Sequence, residues 1–106
     1  MDTVGEFDRL LADVRAWHLR VFGHPVHVKR TAQKLLEEAA EAFAEARADN
    51  SRMMLHELVD VLLVTCSLLS IYGPRELPMN ILAEVRRKMS AVEQRDQRAR
   101  DRKRLG

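Results

Sequence analysis

Three clusters of helix-breaking residues divide this chain, and they fix what it can become. Gly23 and Pro25 form the first, Asp49-Asn50-Ser51 the second, and Gly73-Pro74 the third. Between them the apolar residues recur at helical spacing, as in Phe7, Leu10, Leu11, Val14, Trp17 and Val21. Thr3 and Glu6 match a capping box ahead of that run. The spacing predicts helices ending at about Phe22, then spanning about Arg30–Ala48 and Arg52–Ile71, and a fourth that Pro78 can open and that continues toward the C-terminus. No segment alternates with period two, and only 5% of the residues are aromatic. The expected fold is all-α, a four-helix bundle-like protomer. Helices 2 and 3 are apolar over more than one stripe, so each needs more cover than one neighbour gives. Assembly as a homodimer or homotetramer is the expectation.

Charge is distributed unevenly. Residues 1–85 carry 9 Lys/Arg against 13 Asp/Glu, and residues 86–106 carry 9 against 3. An acidic body is followed by a basic end. The expected organisation is one domain over residues 1–96 and a basic tail over 97–106. Cys66 is the single cysteine and sits in an apolar run, which excludes a disulfide framework and fits a buried small hydrophobe. The N-terminus shows no signal-peptide pattern, and the apolar stretch Leu58–Tyr72 is short and interrupted by Asp60. A cytoplasmic setting without a membrane partner is expected.

The acidic residues are not scattered. Glu37, Glu38 and Glu41 lie within about one turn of helix 2, with no Lys or Arg between Leu35 and Ala46. Like charges three and four apart repel by a few tenths of a kcal/mol per pair. Helix 3 carries Glu57 and Asp60, and Asp60 is the only charge between Leu58 and Tyr72, which predicts its burial. Positions 41 and 57, and positions 38 and 60, are both centred on residue 49. An antiparallel hairpin turning there sets Glu41 opposite Glu57 and Glu38 opposite Asp60. Four or five carboxylates in one groove require counter-charge, and hard oxygen donors suit Mg²⁺, with Mn²⁺ as substitute. A di-iron reading fails because no His follows these acids by three.

The pattern Glu37-Glu38-x-x-Glu41, fifteen residues, then Glu57-x-x-Asp60 resembles the signature of the MazG-like all-α nucleoside triphosphate pyrophosphohydrolases. That superfamily includes dimeric dUTP pyrophosphatases and phosphoribosyl-ATP pyrophosphohydrolase. The stretch Trp17-His18-x-x-x-Phe22-Gly23-His24-Pro25 is similar to the entry of small, often phage-encoded members, and the resemblance spans roughly Phe7 to Lys88. It implies hydrolysis of a (d)NTP, with a purine such as dGTP among the candidates, to monophosphate and pyrophosphate by metal-activated water at the α-phosphorus. It also implies Glu38, Glu41, Glu57 and Asp60 as magnesium ligands, and Glu37 as a further acid that holds a second metal or orients the water. An oligomer with helices from neighbouring subunits completing the pocket is implied as well.

The four glycines stand apart, so no phosphate-binding loop exists. Phosphates must be held by metal and by side chains: Lys34 one turn before Glu38, and Lys88, Arg87 or Arg95 on helix 4. The sequence departs from the small-member motif K-x-x-x-N-x-x-R in having Val92 at the Asn position between Lys88 and Arg95. His18 and Trp17 are candidates for the substrate pocket, against readings as an interior histidine and a core or interface tryptophan. His24-x-x-His27 has zinc-like spacing but lacks partners. The competing function is a nucleic-acid-binding or adaptor protein using Arg98, Arg100, Arg102, Lys103 and Arg104, a run without aromatic residues and interrupted by Asp101.

Overall fold

The computed structural model describes residues 3–72 and 81–105, with side chains from residue 5. Four helices follow one another: α1 (Thr3–Phe22), α2 (Val28–Arg47), α3 (Ser51–Leu69) and α4 (Ile81–Leu105). The described residues contain no strand, as the apolar spacing requires. None of these helices is long and apolar enough to cross a membrane. The Thr3 side chain of the expected capping box, the Gly73-Pro74 break and Pro78 lie outside the described residues.

The chain forms two compact units, Met1–Pro74 and Arg75–Gly106. In the first, α2 and α3 make a tight antiparallel hairpin whose turn is written in three residues. Asp49 takes the left-handed conformation, with φ 55°. Its N–H donates to the Ala46 carbonyl at 3.2 Å, and that of Asn50 donates to Glu45 at 3.0 Å. This pair of bonds closes the end of α2 as a Schellman motif. Asn50 then caps α3, its side-chain oxygen accepting from the Met53 N–H at 3.2 Å. One residue thus finishes α2 and the next starts α3, which centres the hairpin on position 49.

Helix α1 leaves its last turn through Gly23, whose φ of +74° is a left-handed value open to glycine without a Cβ penalty. Its apolar positions Leu11 and Val14 are both 6% exposed and pack with Cys66 of α3, with Phe7 and Leu69 alongside. Cys66 is therefore a buried core residue, as its apolar run predicts, and burial pushes its thiol up from the ordinary range. Hydroxyl groups inside α3 are satisfied locally: Thr65 donates to the Val61 carbonyl at 2.8 Å and Ser67 to Leu63 at 3.1 Å. Ser70, also buried, donates to the Ser67 carbonyl at 2.7 Å just past the end of the helix.

The second unit is described through α4, which has no buried residue. Its charges pair along the helix, Arg87 with Glu84 and Arg100 with Asp96. Gln97 donates to Asp101 at 3.0 Å. The helix continues without a break from Ile81 to Leu105. The boundary expected at residue 96 lies within this helix.

Candidate functional site

The hairpin brings three carboxylates to one point. One oxygen from each of Glu38, Glu41 and Glu57 lies within 4.8 Å of the other two. Glu38 is buried, Glu57 half-buried and Glu41 exposed. The equal spacing of positions 41 and 57 about residue 49 is what places Glu41 beside Glu57. Helical periodicity puts Glu38 on the same side, one turn away from Glu41.

Lys34, one turn before Glu38, forms an ion pair with this cluster: its Nζ lies 2.9 Å from Glu38 Oε1. That contact holds the Glu38 carboxyl below the usual glutamate range, and Glu38 in turn raises the lysine. Glu57 has the opposite fate. Burial first, then Glu41, Asp60 and Glu38 around it, push its carboxyl upward. Glu38 Oε2 and Glu57 Oε2 are buried and have no hydrogen-bond partner among the described residues. Acceptor-only atoms left bare in this way need a cation or a donor. Three clustered carboxylates, two with an orphaned oxygen, fit a hard divalent ion that keeps further positions for water or phosphate oxygens.

A cleft of about 520 Å³ opens beside Glu38. Trp17, His18 and Phe22 of α1 form one wall, Arg30, Lys34 and Glu38 of α2 another, and Asp60, Leu63 and Ser67 of α3 a third. His18 lies 4.7 Å from Phe22 and 5.7 Å from His24, centroid to centroid, and Trp17 meets Phe22 edge-on at 5.8 Å. The His18 Nε2 is buried and has no hydrogen-bond partner among the described residues. Burial, reinforced by His24, lowers its pKa and favours the neutral ring.

Asp60 departs from expectation. It lines the cleft with Glu38 but is exposed and lies outside the carboxylate triad. Its apolar sequence neighbours Leu58, Val59, Leu62 and Leu63 are themselves 38–57% exposed, so an apolar run around an acid did not mean burial. Glu37 is exposed and points about 100° around the helix from Glu38. Lys88 and Arg95 lie on α4, where Lys88 borders a shallow apolar groove with Val85, Met89 and Val92, and Arg95 is exposed.

Arg30 was not singled out by sequence, yet it lines the cleft. The signal was present: Arg30, Lys34 and Glu38 recur every fourth residue, a cation–cation–anion row along one face. No protein-family model, no curated protein and no solved structure matches this chain.

Proposed function

We propose that this chain hydrolyses a nucleoside triphosphate, ribo- or deoxyribo-, to the monophosphate and pyrophosphate with Mg²⁺, which Mn²⁺ replaces. One observation carries the reading. The orphaned oxygens of Glu38 and Glu57 sit in a carboxylate triad beside a cleft that holds both cationic and aromatic side chains. A nucleotide has matching parts, an anionic chain that needs cations and a flat base that needs a ring to stack on.

Glu38, Glu41 and Glu57 would hold the cation, and Asp60 would join them from the cleft wall. When bound, the cation neutralises phosphate charge and lowers the pKa of a water for attack on phosphorus. Lys34 and Arg30 bind the triphosphate as point charge and planar fork respectively. Lys34, paired with Glu38 in the metal-free chain, would turn its ammonium to a phosphate oxygen if that carboxylate were held by a cation instead. Trp17 offers a stacking face, with Phe22 buttressing its edge. His18, held neutral, presents one ring nitrogen as donor and the other as acceptor, and so recognises a base edge rather than a phosphate. Glu37, beside the triad, orients the attacking water. A purine such as dGTP fills a cleft of this size more fully than a pyrimidine.

The test is pyrophosphate release from a panel of canonical and modified (d)NTPs with Mg²⁺ or Mn²⁺. Turnover of at least one nucleotide, abolished by Glu41→Gln and by Asp60→Asn, is expected. A folded protein that turns over none of them removes the reading. Retention of the chain on DNA or RNA at low salt, lost on deleting residues 97–106, is the outcome of the competing nucleic-acid reading.

A further inference from the structure

His18, His24 and His27 all line the cleft, and the proposed hydrolysis uses only the first. The spacing of His24 and His27 shows no partner in the sequence; the fold supplies one from α1. Gly23, at φ +74°, turns the chain back on the last turn of its helix, its N–H donating to the Leu19 carbonyl at 2.9 Å. His24 is thereby brought to His18, with ring centroids 5.7 Å apart and planes at 75°. Phe22 lies 4.7 Å from His18 and 6.4 Å from His24, an apolar wall beside both rings. The loop also sets the protonation of each ring. His24 Nδ1 is 2.8 Å from the Pro25 carbonyl oxygen, which can only accept, so the neutral ring carries its proton on Nδ1 and leaves the Nε2 lone pair free. The same carbonyl supports His18 through a hydrogen bond. Because His18 Nε2 has no partner among the described residues, Nδ1 makes that bond. A histidine that donates one N–H to a backbone carbonyl and keeps its other nitrogen bare has the arrangement of a metal ligand.

We propose that His18 and His24 form a second cation site, distinct in chemistry from the carboxylate cluster, that takes a zinc-class transition metal through both Nε2 atoms. The ring spacing allows it. Two imidazoles on one ion, with metal–nitrogen bonds of about 2.0–2.1 Å and roughly 105–125° between them, hold their centroids about 5.1–5.7 Å apart. Imidazole nitrogen suits zinc, copper and nickel, whereas the oxygens of Glu38, Glu41 and Glu57 suit harder ions. The charge of the cleft does not oppose a cation, since Arg30 and Lys34 on its walls are matched by Glu38 and Asp60. Burial keeps the His18 ring neutral near neutral pH, the form that binds metal. Among the described residues, ligand atoms of the three histidines do not all lie within 4.8 Å of one another, so His27 stays outside the set. Two protein ligands leave the other positions to water, which makes the ion exchangeable rather than structural. It would cover the nitrogen that reads a base, so zinc-class metals would oppose nucleotide binding. That consequence rests on the hydrolytic reading; the site itself does not, and its test does not use activity.

The experiment titrates Zn²⁺ into the untagged full chain with Mg²⁺ in excess. Long-range ¹H–¹⁵N correlation spectra follow the histidine rings, and calorimetry gives the affinity. Saturable binding is expected, moving the Nε2 resonances of His18 and His24 while Nδ1 of each stays protonated. His24→Ala, at an exposed position, is expected to weaken binding about tenfold or more with circular dichroism kept. Glu38→Gln, which disables the carboxylate site, is expected to leave zinc on the histidines. His56→Ala, at an exposed position of α3, is expected to leave the affinity unchanged. If a variant loses structure, the ring spectra of the wild type decide alone. Unmoved His18 and His24 resonances, or coordination through Nδ1, overturn the proposal. So do wild-type affinity in a folded His24→Ala chain, loss of the histidine shifts in Glu38→Gln, and weakened binding in His56→Ala.

Discussion

Helix α1 closes the cleft through very few contacts, so Leu11→Ala is the most informative single perturbation of the fold. Leu11 is 6% exposed and packs with Val14 and Cys66. The substitution removes three carbon groups, worth about 0.8 kcal/mol each when buried, or roughly 2.4 kcal/mol. The cavity left behind adds to this, giving about 3 kcal/mol, inside the range of roughly 2–5 for buried Leu→Ala. A unit the size of Met1–Pro74 has on the order of 4–11 kcal/mol to lose. Urea unfolding followed by circular dichroism measures the total. Trp17 fluorescence reports the wall of the cleft that α1 carries, and its emission is expected to shift to the red ahead of the hairpin transition. Leu11 packs on Cys66, about two and a half turns along α3 from Glu57, so cation affinity at Glu38, Glu41 and Glu57 should hold. A loss below about 1 kcal/mol, or an unmoved Trp17 transition, refutes the docking of α1 through this cluster.

Three further outcomes follow from the geometry. Gly23→Ala meets no atom within 4 Å of the new Cβ, so its cost is conformational alone, about 1–2 kcal/mol by denaturant melt for a residue at φ +74°. In the absence of metal, Glu57 accepts a proton in the folded chain above the ordinary glutamate range, because burial and Glu41 raise it. Its folded pKa exceeds its unfolded one, so its contribution to stability grows as pH falls from neutrality toward about 4.5 and is lost as pH rises through the folded value. Glu38 runs the other way, keeping its stabilising charge until pH falls below that range. The difference in melting temperature between wild type and Glu57→Gln should therefore shift in favour of the wild type as pH is lowered; a pH-independent difference contradicts this. For His18, burial is the larger cause of its low pKa and His24 the smaller, so His24→Ala should raise its NMR titration midpoint only part of the way to 6.5.

The hairpin was legible in the sequence because its determinants are local. Asp49 and Asn50 specify a helix end and a helix start within two residues, and the acids are placed by counting from that turn. The triad of Glu38, Glu41 and Glu57 follows from the same count. What failed to follow was Asp60, whose exposure depends on how far α1 covers α3, a tertiary fact with no periodic signature. Helix α1 reaches Cys66 and Leu69 but leaves Leu55, Val59 and Leu62 open, so the apolar run around Asp60 is only part core. Arg30 was missed for a different reason. A basic residue near a helix start reads as ordinary surface until the cleft beside it is seen.

Calorimetric titration of Mn²⁺ into chelator-treated protein tests, without reference to any substrate, whether the orphaned oxygens of Glu38 and Glu57 belong to a cation site. Saturable binding is expected in the wild type, abolished by Glu38→Gln and by Glu57→Gln, with circular dichroism unchanged. Absence of saturable binding in the wild type, or wild-type affinity in either variant, contradicts it.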